Sequence, residues 1–366
     1  MSRWDYDYDD DDDYELDNHE GRDMKIALIG LPQAGRKTLF TLLTGRSVPE
    51  IRKPGETVEG IAAIRDARID RLSEICRPKR KVYAENNFVL CPDAVTGAGS
   101  REWLDAARRC DLICLVVRAF ESGAVYHPAG SVDAARDEEN LRTELLFADM
   151  ELVEKRLDRM AKDARSGLNT DHKAEQETLQ ACMKALEAGT PLTGLPLPPH
   201  AVASIRSLGL LTLIPLMVIV NVSESAAGAP GSGGALALSC LIEQEIAAMA
   251  DEAERREFME AMGLGEPGLD RVNAAAYDAL GLMSFYTTGK DECRAWTIRK
   301  GSPAPVAGGK IHSDIERGFI RVEVIKYADF VEAGSESAAK ERGRMLTKGR
   351  DYIIEDGDIC HFLFNV

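Results

Sequence analysis

Apolar positions fall into distinct textures along the chain. Short, nearly continuous apolar runs recur at Lys25 to Gly30, Phe88 to Cys91, Asp111 to Val117, Leu216 to Val220 and Leu236 to Ser239. Runs of this length predict strands buried on both faces of a sheet. Between them lie segments with helical spacing: Lys37 to Thr44, Arg65 to Ile75 with Ile69, Leu72 and Ile75 three apart, Trp103 to Arg109, and Leu241 to Met262. Alternating strands and helices predict an α/β fold built on a doubly wound, mostly parallel sheet.

Two stretches break that rhythm. From Asp133 to Ala188, charged residues alternate with Leu141, Leu145, Leu152, Leu157, Met160, Leu179, Met183 and Leu186, largely at three- and four-residue spacing, interrupted at Gly167-Leu168-Asn169. This predicts an antiparallel helical pair projecting from the core and closed by the proline-rich segment Pro191 to Pro199. After Leu282 the segments Cys293 to Ile298, Phe319 to Val324, Asp351 to Ile354 and Cys360 to Phe364 read as strands. Glu355 to Asp358 reads as a hairpin turn and Ser337 to Leu346 as a single helix, giving a small mixed α+β domain. The expected layout is a tail over 1–23, an α/β domain in two parts over 24–130 and 200–282, a helical insertion over 131–199 and a C-terminal domain over 283–366.

Charge alters the picture only at the N-terminus. The net charge is −16, and residues 1–23 hold eleven acidic side chains against Arg3 and Arg22. Such a block repels itself and is expected to be a disordered, solvated extension. It does not resemble a secretory or mitochondrial leader, and no apolar run approaches the ~20 residues of a membrane span. A cytoplasmic protein is expected. Eight cysteines are scattered without C-x-x-C or zinc spacing, which reads as buried free thiols. The basic clusters Arg77 to Lys81 and Arg342 to Arg344 read as solvated surface before RNA contact.

The candidate chemistry lies after the first strand. Gly30-Leu31-Pro32-Gln33-Ala34-Gly35-Arg36-Lys37-Thr38 has almost the spacing G-x-x-x-x-G-K-[ST]. In that loop backbone N–H groups and a helix N-terminus cradle phosphates, a lysine reaches the β/γ-phosphates, and a hydroxyl holds Mg²⁺. Here Arg36 stands at the lysine position and Lys37 at the hydroxyl position. The cradle is mostly backbone and is retained. An ammonium has no lone pair for Mg²⁺, and a one-residue shift of register turns Lys37 ~100° away from the phosphates. A glycine-rich turn without a ligand is the competing reading.

The rest of the chain weighs against that reading. Gly30-Leu31-Pro32, Gly35, Thr38-Leu39-Phe40 and Leu43-Thr44 resemble the first loop of the YchF subfamily of Obg-like ATPases. The resemblance continues through Glu144-Leu145, Ala148-Asp149, Glu151 to Arg159, Leu186 to Leu192 and Asn221 to Glu224. It is strongest in Arg294 to Gly301, Ala307-Gly308, Ile311 to Asp314, Gly318 to Arg321 and Asp356 to the C-terminus. It implies a P-loop G domain carrying a helical insertion, with a ubiquitin-like β-grasp (TGS) domain at the C-terminus. It also implies ATP preferred over GTP, and association with ribosomes.

Residue by residue, the resemblance assigns nucleotide contact to Gly30, Leu31, Pro32, Gln33, Ala34, Gly35, Arg36, Lys37 and Thr38, and the base pocket to Asn221, Val222, Glu224 and Ser239. Asn221-Val222-Ser223-Glu224 matches the segment that reads guanine as N-K-x-D in related GTPases, and the longer Glu224 carboxylate is expected to lose guanine selectivity. Ser239-Cys240-Leu241 matches an S-A-K loop without its lysine. Asp93 and Thr57 match the Mg²⁺ contacts, although Thr57 reads equally as a turn residue. Thr96 replaces a glycine whose N–H meets the γ-phosphate, with Gly97 one residue late. The departures fall on phosphate, metal and base contacts. The expectation is an ATP- or GTP-binding protein with weakened or absent Mg²⁺-dependent hydrolysis, acting on the ribosome or RNA. The alternative is an interaction protein that binds no nucleotide and works through its helical and C-terminal domains.

Overall fold

The computed structural model describes residues 24–48, 55–97, 101–165, 173–229, 231 and 233–365. The acidic segment 1–23, the Gly167-Leu168-Asn169 break and Ala98-Gly99-Ser100 lie outside the described residues. Strand β1 (Lys25–Ile29) leads through the glycine-rich loop into helix α1 (Arg36–Thr44). There follow β2 (Val58–Ile64), α2 (Ala67–Cys76), β3 (Arg80–Val82), β4 (Ala84–Leu90) and β5 (Leu112–Ala119). The first sheet also takes in β6 (Leu216–Val222) and β7 (Leu236–Leu238), in the order β2-β4-β1-β5-β6-β7. Every pairing in it is parallel except β2 with β4.

Position in that order follows from side-chain character. Ile26, Ala27, Leu28 and Ile29 are fully buried, so β1 needs cover on both faces and lies inside the sheet. Leu39 and Phe40 of α1 pack with Ile26 and Leu28 on one face. On the other face Ala27 and Ile29 meet Leu141 and Leu145 of α3 (Ala134–Arg165). The parallel strands β1, β4, β5 and β6 all end at one edge, the edge where ligands bind in open α/β sheets. The domain is completed by α6 (Cys240–Ala248), α7 (Glu252–Ala261) and α8 (Gly268–Ala279), which follow α5 (Pro199–Ile205) in the chain.

Helix α3 has 32 residues, about 48 Å of rise. Its first half covers the sheet. Its second half uses Val153 and Met160 against Leu179, Cys182 and Leu186 of α4 (Lys173–Glu187), and Ile205 of α5 joins that cluster. All eight cysteines are free thiols. Among the described residues no helix is long and apolar enough to cross a membrane.

The C-terminal unit is built on β8 (Leu282–Thr287), β9 (Glu292–Arg299), β10 (Phe319–Lys326), β11 (Leu346–Lys348) and β12 (Asp358–Phe364), in the order β11-β10-β12-β8-β9-β3. The final member is unexpected. Strand β3, from between β2 and β4 in sequence, pairs in parallel with β9, so the two units share a sheet. This spends the basic cluster on structure: Lys79 pairs with Asp291 at 2.8 Å, Arg80 with Glu292 and Lys81 with Asp70. Two other segments depart from the expectation. Asp351 to Ile354 is no strand and makes a single bridge, Ile353 to Pro303, because Tyr352 turns its hydroxyl onto Asp358 at 2.8 Å. Four short helices occur where one was read: α9 (Ala304–Ile311), α10 (Ser313–Arg317), α11 (Tyr327–Ala333) and α12 (Glu336–Glu341). Helices of one or two turns are too short to display a 3.6-residue period.

Asp66 strengthens the joint between the two units. It caps α2 through Arg68 N, takes the Arg68 guanidinium at 3.1 Å and accepts from Tyr286 of β8, while Arg68 reaches on to Asp356 at 2.6 Å. Burial alone raises the Asp66 carboxyl, but the hydrogen bonds from Arg68 and Tyr286 outweigh it and hold the group below its ordinary 3.8. A carboxyl lowered on folding contributes stability above its unfolded value and loses it as pH falls through the folded value. Chemical denaturation between pH 6 and pH 2.5 is therefore expected to show an acid-side loss of stability that Asp66→Asn makes shallower. Equal acid limbs for the two proteins exclude this role.

Candidate functional site

The loop from Gly30 to Gly35 is shaped by two glycines. A Cβ on Gly30 would lie 2.3 Å from the Val116 carbonyl oxygen of the neighbouring strand. Gly35 sits at φ +97°, a region L-residues avoid, and a Cβ there would lie 2.2 Å from Asn221 Nδ2. Between them Ala34 N donates to Leu31 O at 3.3 Å, and Gly30 O accepts from Ala94 N at 3.1 Å. Gly35 is also the N-cap of α1 and supplies no side-chain oxygen to its first N–H groups. With no acidic residue in that first turn, the helix start retains its partial positive charge. A pocket of about 320 Å³ opens over the loop, with Gln33, Gly35, Lys37, Thr38, Asp93 and Phe120 in its wall.

Arg36 and Lys37 take opposite courses. The Arg36 side chain is only 3% exposed. Its Nη1 donates to Cys91 O and Pro92 O, each at 3.0 Å, and its Nη2 pairs with Asp93 Oδ1. The guanidinium is thus bound to the end of β4. Lys37, expected to turn away from a phosphate chain, is instead exposed in the pocket wall, and among the described residues it makes no ion pair. Asp93, half exposed, has Arg36 as its partner. Thr57 immediately precedes β2, and the register Val58 to Leu90 brings it toward the same end of β4 as Asp93. It does not line the pocket. The backbone loop and helix start fit a phosphate chain. The donor set fits Mg²⁺ poorly: the hydroxyl position carries an ammonium, and the carboxylate already holds a guanidinium.

The residues read as a base pocket sit one layer back. Asn221 is buried, donates from Nδ2 to Ala34 O at 3.1 Å and accepts on Oδ1 from Cys240 N at 3.0 Å. It ties the phosphate loop to the start of α6. Ser239 is the buried N-cap of that helix, its Oγ accepting from Ile242 N at 3.5 Å. Val222 ends β6 opposite Ala119, and Glu224 is exposed at the start of a short turn. None of these four lines the pocket over the loop.

Three further residues were given no site role in the sequence, Glu144 entering only as part of the family resemblance. Glu144 of α3 is buried and accepts from Gly97 N at 2.7 Å and from Arg101 Nε at 2.7 Å. The N–H that stands one residue late for a γ-phosphate is therefore held by the helical insertion. Arg118, at the end of β5, donates to Phe120 O at 3.0 Å and Val125 O at 3.1 Å, bracing the wall beside the loop. His127 Nδ1 accepts from Ala129 N at 3.2 Å, which leaves Nε2 to donate to Asp137 at 2.8 Å. Single Arg, His and Glu residues carry no spacing signal; contacts distant in sequence reveal them.

A largely parallel sheet, with a glycine-rich loop running from an inner strand into a helix and a helical insertion behind it, defines a P-loop G-domain fold. The chain is 40% identical over 362 residues to the "Ribosome-binding ATPase YchF" of Escherichia coli O157:H7, covering 93% of this chain and 99% of that protein. The Bacillus subtilis protein of the same name is 36% identical over 362 residues, covering 93% and 98%. The solved structure of the Schizosaccharomyces pombe YchF GTPase matches with a TM-score of 0.80 at 32% identity, over 94% of this chain and 98% of that one. A family model named YchF-GTPase_C, described as "Protein of unknown function (DUF933)", matches residues 282–365. The chain belongs to the YchF family.

Proposed function

We propose that this chain is a cytoplasmic, ribosome-associated nucleotide-binding protein whose Mg²⁺-dependent hydrolysis is weakened or absent. The observation that carries this is the loop itself: a glycine cradle braced by Asn221, beside a lysine and a carboxylate that do not make a metal site. Gly30 to Gly35 supply backbone donors, Lys37 and Thr38 border the phosphates, and Arg36 acts from beneath through Asp93. Glu224, in place of a shorter carboxylate, supports ATP over GTP. Val222 and Ser239 support the base side from one layer back, and Thr57 is the remaining candidate near a metal. Loss of oriented charge at the transferring phosphate costs orders of magnitude in rate.

We assign a G domain to 24–130 and 200–282, the helical insertion to 131–199 and a TGS-like β-grasp domain to 283–366. Ribosome association rests on membership of a family whose relatives are named for it. The Arg77 to Lys81 cluster offers little free charge to RNA, since its Lys79, Arg80 and Lys81 are paired.

Calorimetric titration with ATP, ADP and GTP tests the reading. Binding of ATP in the micromolar range, tighter than GTP, is expected, with turnover far below that of the Escherichia coli relative measured alongside. No heat with any nucleotide at millimolar concentration would leave the interaction-protein reading in its place.

A further inference from the structure

The contacts of Arg36 reach beyond a weakened metal site. The guanidinium is almost fully buried, and its partners at the end of β4 include two carbonyl oxygens and the Asp93 carboxylate. A metal ion at Asp93 would have to share a carboxylate whose Oδ1 already holds the guanidinium, which sets two cationic groups on one anion. Nor does the helix offer a replacement oxygen. Lys37 occupies the hydroxyl position, and Thr38 is turned ~100° further round the helix. Positive charge is nonetheless present in the lining of the pocket, where Arg36 and Lys37 stand side by side. Arg36 neutralises the carboxylate that would otherwise repel the ligand. Lys37 is exposed in the pocket wall with no ion pair of its own among the described residues, and it sits in the first turn of α1, the positive end of the helix dipole, whose residues border the same pocket.

We infer that this chain binds nucleoside triphosphate without a divalent cation, Arg36 standing in for the metal at Asp93 and Lys37 neutralising the phosphates directly. The inference rests on the nucleotide-binding reading above and specifies the ligand as the metal-free tetra-anion. It also assigns distinct roles to two adjacent cations: Arg36 is a positioning residue that acts through Asp93, and Lys37 is the contact.

ATP affinity of the full chain is measured by calorimetry in 5 mM MgCl₂ and again in 5 mM EDTA, both roughly at the same ionic strength so that screening is matched. The two dissociation constants are expected to agree within about threefold. Lys37→Ser, at an exposed position that leaves the core untouched, is expected to weaken binding about tenfold in EDTA and to recover in Mg²⁺, because it exchanges an ammonium for a metal-binding hydroxyl. Arg36→Lys combined with Lys37→Ser should show the larger metal dependence, with folding checked by circular dichroism. A tenfold or greater loss of wild-type affinity in EDTA overturns the inference and leaves nucleotide binding intact. A folded Lys37→Ser protein with wild-type affinity in EDTA overturns the role given to Lys37. Failure to bind in both buffers removes the nucleotide-binding reading itself.

Discussion

Asn221→Ala is expected to lose nucleotide binding and about 2–3 kcal/mol of stability together. The side chain makes two buried hydrogen bonds, to Ala34 O at 3.1 Å and from Cys240 N at 3.0 Å. Truncation leaves a buried carbonyl and a buried N–H without their partner, and each unsatisfied group costs about 1–3 kcal/mol. It also frees Gly35, whose left-handed conformation is packed against the same amide. The loop would then sample shapes in which its N–H groups no longer converge. Asn221→Asp separates the two bonds: it still accepts from Cys240 N but sets an oxygen against Ala34 O. Its stability should fall as far as that of Asn221→Ala or further. Urea denaturation and ATP calorimetry on the same preparations check both effects. Unchanged affinity in a destabilised Asn221→Ala protein would show that the loop holds its shape without this brace.

Asp149→Ala is expected to be the most destabilising single change, about 3–5 kcal/mol. Asp149, on α3, is fully buried. Its carboxylate accepts from Leu211 N at 2.8 Å, Thr212 N at 2.7 Å and Thr212 Oγ1 at 2.8 Å, with Arg108 Nη1 at 3.3 Å. The contacts lock the insertion helix to the segment entering β6 and to the turn before β5. Burial pushes the carboxyl upward from its ordinary value, against the pull of these donors and of Arg108. Burial therefore opposes a charge at this site, and Asp149→Asn should recover part of the loss by removing it while keeping one acceptor. Thermal melts of the three proteins decide this. If Asp149→Asn is as unstable as Asp149→Ala, charge rather than hydrogen bonding holds the joint.

Much of the architecture was legible because it was written in local patterns. The continuous apolar runs at 26–29, 112–117 and 216–220 became inner strands, since a strand covered on both faces has no polar side to show. The helical pair was visible in the three- and four-residue spacing of Leu141 and Leu145 and of Leu179, Met183 and Leu186. The C-terminal strands were visible, but α9 to α11 were not, being too short to complete a period. The strand read at 351–354 failed for a different reason. Its residues favour extended structure, but its backbone pairing stops at one bridge, Tyr352 O accepting from Ala304 N and Ile354 N donating to Ser302 O, too short to make a strand.

The same division runs through the candidate site. Sequence alone determined that a glycine-rich turn joins a buried strand to a helix, and that a lysine stands where a metal-binding hydroxyl is needed. Both are properties of residue type at fixed spacing along one stretch of chain. It also identified Asn221 and Asp93 as residues of interest, without saying what they touch. Only the tertiary structure decided that Asn221 braces Gly35 from behind, that the Arg36 guanidinium is tied to Asp93 and the end of β4, and that Glu144 reaches Gly97 from the helical insertion. It likewise decided that the basic cluster at 79–81 becomes a paired strand of the second sheet. Each of these contacts joins residues tens to hundreds of positions apart. Whether a side chain meets a phosphate, a carboxylate or another strand depends on which neighbours packing places within about 3 Å of it. No local pattern carries that information.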